Sequence, residues 1–258
     1  MIDPGTASHQ ANALGARIIE LSLKPSGDAM DSADFEQLKA IMDASLGEPE
    51  LARHVLNAPP VLARLPEIRA AIQTYEARYE KEMVALARPT ELLDRYLYSE
   101  EAAEAVQLEG ERMGLTPDSH VLVLGSGAYP VTALLYQRCF SAKCTCVDID
   151  EEAVASSRAF IDAIGLTEQI SIHYGDACSF PAEGYSHVFV TLCCQPKRAV
   201  FESLARSTAS PIAFRRPNAL YELWYADVTE VDLAVFARVD DPDRHDEFPL
   251  RLAVGFGE

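Results

Sequence analysis

Three apolar runs in this 258-residue sequence each end in residues suited to holding a polar ligand. Residues 121–124 run into Gly125-Ser126-Gly127. Residues 144–147 run into Asp148-Ile149-Asp150. Residues 170–173 run into Tyr174-Gly175-Asp176-Ala177. A glycine turn lets a ligand approach the backbone with no Cβ in the way. Asp148 follows Gly127 by 21 positions, where a carboxylate can accept hydrogen bonds from two ribose hydroxyls. Asp176 is placed to accept from an adenine amino group. Taken singly, a glycine pair is an ordinary turn and an aspartate an ordinary strand-end cap. The three in this order point to an adenosine-type ligand contacted by Gly125, Ser126, Gly127, Asp148, Ile149, Asp176 and Ala177.

A dinucleotide and S-adenosylmethionine (SAM) ask different things of that turn. A dinucleotide fingerprint requires GxGxxG and an open helix N-terminus for its pyrophosphate. Here the third glycine is Pro130, preceded by the bulky Tyr129. A methionine side chain needs only a pocket, so SAM fits better.

These loops require a parallel sheet behind them. The run at 121–124 is continuously apolar, as expected of a strand buried on both faces. Helical stretches are expected at 130–140 and 151–164, and further strands at 188–192, 211–214, 231–237 and 250–255. The last two can form an antiparallel hairpin around a polar loop at 240–247. Strands alternating with helices predict a doubly wound α/β sheet. The first hundred residues read as helices instead. Asp31 and Ser32 are candidate N-caps before Phe35, Leu38, Ile41 and Met42 at helical spacing. Further helices are expected at 48–56, 65–86 and 91–113, with a turn at 57–60. Two domains follow: a helical one over 1–115, expected to act as a lid, and the sheet over 116–258.

Composition narrows the partners. The formal net charge is −18, which repels nucleic acid and anionic membrane surfaces. No apolar run is long enough for a membrane helix, and residues 1–10 lack the pattern of a secretion signal. A cytoplasmic protein acting on a small molecule is expected. None of the six cysteines forms a CxxC pair, and His173 and His187 do not complete a zinc set, so no metal is expected. Reduced, mostly buried thiols are the simpler reading. Cys193-Cys194 lacks a histidine placed to activate a thiolate.

The stretch Val123 to Leu135 resembles the GSG-x-x-P-x-T-x-L segment of nicotianamine synthase-like proteins. Val-Asp-Ile-Asp-x-x-Ala from Val147 and Gly-Asp-Ala from Gly175 agree with it, as does the order of helical domain before sheet. The resemblance implies a Rossmann-like class I SAM-dependent methyltransferase fold with SAM as substrate. It also implies attack at Cγ of the methionine part with release of 5′-methylthioadenosine. Two outcomes follow from such attack. An amine accepts the 3-amino-3-carboxypropyl group, as in nicotianamine and opine-metallophore synthases, or the cofactor's own amine closes azetidine-2-carboxylate. An ordinary small-molecule methyltransferase, releasing S-adenosylhomocysteine, is the alternative on the same fold.

Candidate residues for the reacting centre are Tyr129 in the glycine turn, Tyr174 before Gly175, and Thr191, Leu192 and Cys193 ending the fourth strand, with Thr191 and Leu192 expected to bind the cofactor and core packing the alternative for each. The resemblance adds Tyr98 and Glu104 as handlers of an acceptor amine. The local sequence departs from the family's aromatic-Asn-Tyr pattern, and Glu104 falls one residue out of register. That departure tilts the expectation slightly toward cyclisation. Arg215-Arg216, at the end of the fifth strand, can pair with a substrate carboxylate or form a surface ion pair.

Overall fold

A computed structural model describes residues 4–24, 27–86, 99–241 and 250–256. The chain divides into two compact units, which are described separately.

The first unit holds the chain through Glu76 and the stretch Pro217–Asp227. It contains α1 (Pro4–Ser22), α2 (Ser32–Leu46), α3 (Pro49–Leu56), the first part of α4 (Pro59–Leu86) and a 3-10 turn at Ala219–Leu223. Helix α2 starts where its capping residues require. Asp31 Oδ1 accepts from the Asp34 N–H at 3.0 Å, and Asp34 returns the bond to the Asp31 backbone. Helix α4 begins earlier than expected, because Pro59 and Pro60 occupy its first turn, where no N–H partner is needed. Phe35 anchors the core of this unit, stacked on Tyr75 at 4.3 Å and on Trp224 at 5.0 Å. Two tyrosine hydroxyls at its edge donate to carboxylates, Tyr225 to Glu76 at 2.6 Å and Tyr221 to Asp43 at 2.5 Å.

The second unit is built on a seven-stranded sheet of order β3-β2-β1-β4-β5-β7-β6. The strands are β1 (His120–Leu124), β2 (Lys143–Asp148), β3 (Ile170–Tyr174), β4 (His187–Val190), β5 (Ile212–Pro217), β6 (Arg238–Asp240) and β7 (Leu250–Phe256). Strands β1 to β5 pair in parallel, while β6 and β7 are antiparallel. The continuous apolar run of β1 has a direct cause: Val121 and Val123 enter one core and Leu122 and Leu124 the other. Helices α6 (Val131–Phe140), α7 (Glu151–Ala163) and α8 (Lys197–Ser207) connect the strands. This is the expected Rossmann-like class I methyltransferase fold, preceded by helices.

Helix α5 (Ser99–Met113) belongs to the sheet unit, with Val106, Met113 and Leu115 buried in its core. The strand expected at 231–237 is instead a short helix, α9 (Glu230–Leu233). Thr229 and Asp232 form a capping box there, and this helix-start chemistry overrides the alternation of Val231, Leu233 and Val235. Strand β4 ends at Val190, which leaves Thr191 and Leu192 in the following loop. Among the described residues no helix is long and apolar enough to cross a membrane.

Candidate active site

The carboxyl ends of β1 to β4 form a continuous hydrogen-bonded rim. Gly125 and Gly127 both sit in the left-handed region, at φ 77° and 69°. The N–H groups of Gly125 and Ser126 donate to Val147 O at 2.8 and 3.2 Å. The Gly127 N–H donates to Asp148 Oδ2 at 2.8 Å, and the Asp150 N–H to Asp148 Oδ1 at 3.0 Å. Asp148 therefore shapes the turn as well as facing it. Each carboxylate oxygen carries about two acceptor sites, so each keeps one for a ligand hydroxyl.

Strand β3 runs beside it, with Asp148 in register with Tyr174. Two large apolar side chains stand in solvent at these adjoining ends, Ile149 at 65% and Tyr174 at 54% exposure. The next residues turn away through Asp176, whose Oδ1 accepts from the Cys178 N–H at 2.9 Å and whose carbonyl accepts from Ser179 and Phe180. Asp176 is exposed and Ala177 half-buried.

Beyond β4, the Thr191 hydroxyl donates to Gly125 O at 2.7 Å. A Cβ on Gly125 would meet Thr191 Oγ1 at 2.7 Å and Cys194 Cβ at 2.8 Å, so only glycine fits between turn and loop. Buried Lys197 donates from Nζ to the carbonyls of Thr191, Leu192 and Cys194 at 2.6, 2.9 and 2.6 Å. Burial pushes the Cys194 thiol up to about 11, which keeps it protonated and non-nucleophilic near neutral pH. Cys144, Cys146 and Cys194 are buried, while Cys139 and Cys193 are exposed, so the expected burial of thiols holds for half of them.

Several candidates stand elsewhere than expected. Tyr129 does not line the open rim. It is 1% exposed and packs edge-to-face on Phe160 at 5.5 Å, inside the sheet core. Glu104 is exposed on α5, and Tyr98 lies outside the described residues. Arg215 and Arg216 are committed to carboxylates of this chain. Arg215 grips Glu109 through two bonds of 2.5 and 2.8 Å, and Arg216 pairs with Asp241 at 2.5 Å. Both arginine side chains are only 12% exposed, so neither is a surface pair.

Glu80 and Lys197 are the additions that the sequence did not suggest. Glu80, half-buried on α4, brings its carboxylate onto the glycine turn: a Cβ at Gly127 would lie 2.6 Å from Glu80 Oε2. Its neighbour Lys81 ties to Asp150 and Glu152 at 3.2 and 3.0 Å, at the start of α7. The apolar spacing of Tyr75 and Tyr79 marked this helix as core, and nothing in that spacing pointed to Glu80.

Comparison with solved structures gives the same architecture. The nicotianamine synthase MtNAS in complex with MTA and tNA superposes with a TM-score of 0.84, covering 100% of both chains at 18% identity. A mutant of MtNAS in complex with S-adenosylmethionine gives 0.81 over 97% of both chains, again at 18% identity. The chain has the nicotianamine synthase-like fold. Similarity in sequence runs in the same direction. A 200-residue stretch is 26% identical to the L-histidine 2-aminobutanoyltransferase of Yersinia pestis, covering 74% of this chain and 71% of that protein. The protein of the same name in Pseudomonas aeruginosa is 40% identical over 74 residues, which are 29% of this chain and 27% of its own. No family model matches this chain.

Proposed function

We propose that this chain is an enzyme that transfers the 3-amino-3-carboxypropyl group of SAM to an amine and releases 5′-methylthioadenosine. The observation that carries this reading is the Glu80 carboxylate on the glycine turn, on the same rim as Asp148. Methyl transfer and aminocarboxypropyl transfer use the same sulfonium. They differ in which carbon faces the nucleophile, and a positioned base beside the turn favours an amine there.

The rim suits SAM. Asp148 keeps acceptor sites for the ribose hydroxyls, Asp176 for the adenine amino group, and Ile149 with Tyr174 offers apolar surface to the adenine faces. Gly125 and Gly127 leave room for the methionine part, and the loop from Thr191 borders it. When bound, SAM supplies a sulfonium whose Cγ–S bond breaks with its electron pair returning to sulfur. Glu80 accepts an N–H of the incoming amine, orients its lone pair toward Cγ, and takes the proton as the N–C bond forms.

The tilt toward cyclisation rests on the departure from the aromatic-Asn-Tyr pattern and on Glu104 being out of register. Glu80 supplies the carboxylate that Glu104 does not, and the aminobutanoyltransferases with similar sequences add weight to transfer. Their names make L-histidine the first acceptor to try. The test is turnover of SAM with and without L-histidine and other amino acids, for the protein and for Glu80→Gln. Methylthioadenosine that appears only with an amine, and falls by roughly tenfold or more in Glu80→Gln, is expected. Methylthioadenosine with azetidine-2-carboxylate in the absence of an amine would establish cyclisation instead.

A further inference from the structure

Lys197 occupies a place where lysine is rarely found. The buried face of α8 is Lys197, Val200, Phe201 and Leu204, the i, i+3, i+4, i+7 stripe of an amphipathic helix. An apolar residue would fill position 197 at lower cost, since lysine is almost never fully buried unless paired. Lys197 is 4% exposed, and among the described residues no carboxylate forms an ion pair with it. Its three N–H donors go to three carbonyls of one loop, those of Thr191, Leu192 and Cys194. Three donors on three acceptors are what an ammonium supplies. A neutral amine has two N–H groups and turns a lone pair toward the third carbonyl.

That loop is tied to the glycine turn. The Thr191 N–H donates to Leu124 O and its hydroxyl to Gly125 O. We infer that Lys197 is a positioning residue for the SAM site, gathering the loop carbonyls so that Thr191 holds Gly125 in the shape the methionine part of the ligand requires. This rests on the reading of the rim as a SAM site. Burial pushes the ammonium down to about 8, against the opposing influence of Cys194, Cys193 and Asp232, the ionisable groups facing it. The charged form is therefore held close to its titration point, and ligand and proton are linked.

The test uses the wild-type protein labelled with carbon-13 at lysine Cε. The chain has five lysines, and Lys197 is the one expected to titrate near 8. Saturating SAM should move that midpoint upward by about one pH unit, the reciprocal of about tenfold weaker SAM binding by the deprotonated form. Calorimetry on Lys197→Met should show the same loss of about tenfold in SAM affinity, and combining it with Thr191→Val should add little more, because both act on one connection. A midpoint unmoved by saturating SAM overturns the proposal, as does an unchanged affinity in a folded Lys197→Met. If Lys197→Met does not fold, the wild-type titration decides alone. Failure of the wild type to bind either SAM or methylthioadenosine overturns the SAM reading itself, a result distinguishable from bound ligand with an unmoved lysine.

Discussion

Gly127 gives its backbone N–H to Asp148 Oδ2 at 2.8 Å, which joins the turn after β1 to the end of β2. The same carboxylate accepts from Asp150 through its other oxygen. Asp148 thus holds the turn through both oxygens, and in the proposed reading it does so before any ribose arrives. Asp148→Ala should remove both a ligand contact and the preorganisation. A loss of SAM affinity on the order of a hundredfold is expected by calorimetry, near the top of the range for a single hydrogen bond to a charged group. A loss below about threefold would contradict this double role.

Gly127→Ala separates backbone strain from the site. The left-handed φ of 69° costs a residue with a Cβ roughly 1–2 kcal/mol. The new Cβ also meets Glu80 Oε2 at 2.6 Å. Gly165→Ala is the control, at φ 72° with nothing within 4 Å. Both variants should melt about 5 °C lower. Only Gly127→Ala should lose turnover, because only there is the carboxylate displaced.

The bidentate pair of Arg215 and Glu109 stabilises the sheet unit from within. Their side chains are 12% and 4% exposed, and the guanidinium also lies over Phe189 at 4.8 Å. Arg215→Met would leave Glu109 buried without its cation, at a cost of about 3–5 kcal/mol in urea denaturation. Replacing both, Arg215→Met with Glu109→Leu, should cost clearly less than the single change, since no charge is then stranded.

Alkaline titration should report Lys197. Its folded value of about 8 lies below the ordinary 10.5, so the unfolded chain binds more protons between those values and stability rises with pH. Burial raises the thiols of Cys144 to about 12 and Cys194 to about 11, and raises Cys146 as well, so the folded chain keeps protons that the unfolded chain begins to release as the pH approaches 9. Those thiols oppose the lysine over the same range, so the lysine is read from the difference between two proteins. Between pH 8 and 9 the unfolding free energy of the wild type should gain about 1 kcal/mol relative to that of Lys197→Met.

Much of this was legible in the sequence because it is local. The two-faced burial of β1 shows as an unbroken apolar run, and the strand-end aspartates follow from spacing alone. The misreadings have physical causes. Thr229 and Asp232 start a helix in a stretch whose apolar alternation suggested a strand. Tyr129 is adjacent to the glycines, yet its ring is claimed by Phe160 from α7. Glu109 follows Glu100, Glu101 and Glu104 in what reads as a solvated face, and its partner Arg215 is 106 residues away. Glu80 and the glycine turn are likewise brought together only by folding, and no spacing rule connects a helix position to a distant strand end.

The most direct measurement follows the two carbon groups of SAM. The protein is given SAM with a deuterated methyl group and a carbon-13-labelled aminocarboxypropyl chain, together with L-histidine, and the products are analysed by mass spectrometry. The expected result is deuterium retained in methylthioadenosine and carbon-13 on the acceptor. Deuterium on the acceptor, with carbon-13 retained in S-adenosylhomocysteine, would contradict attack at Cγ and make the chain a methyltransferase.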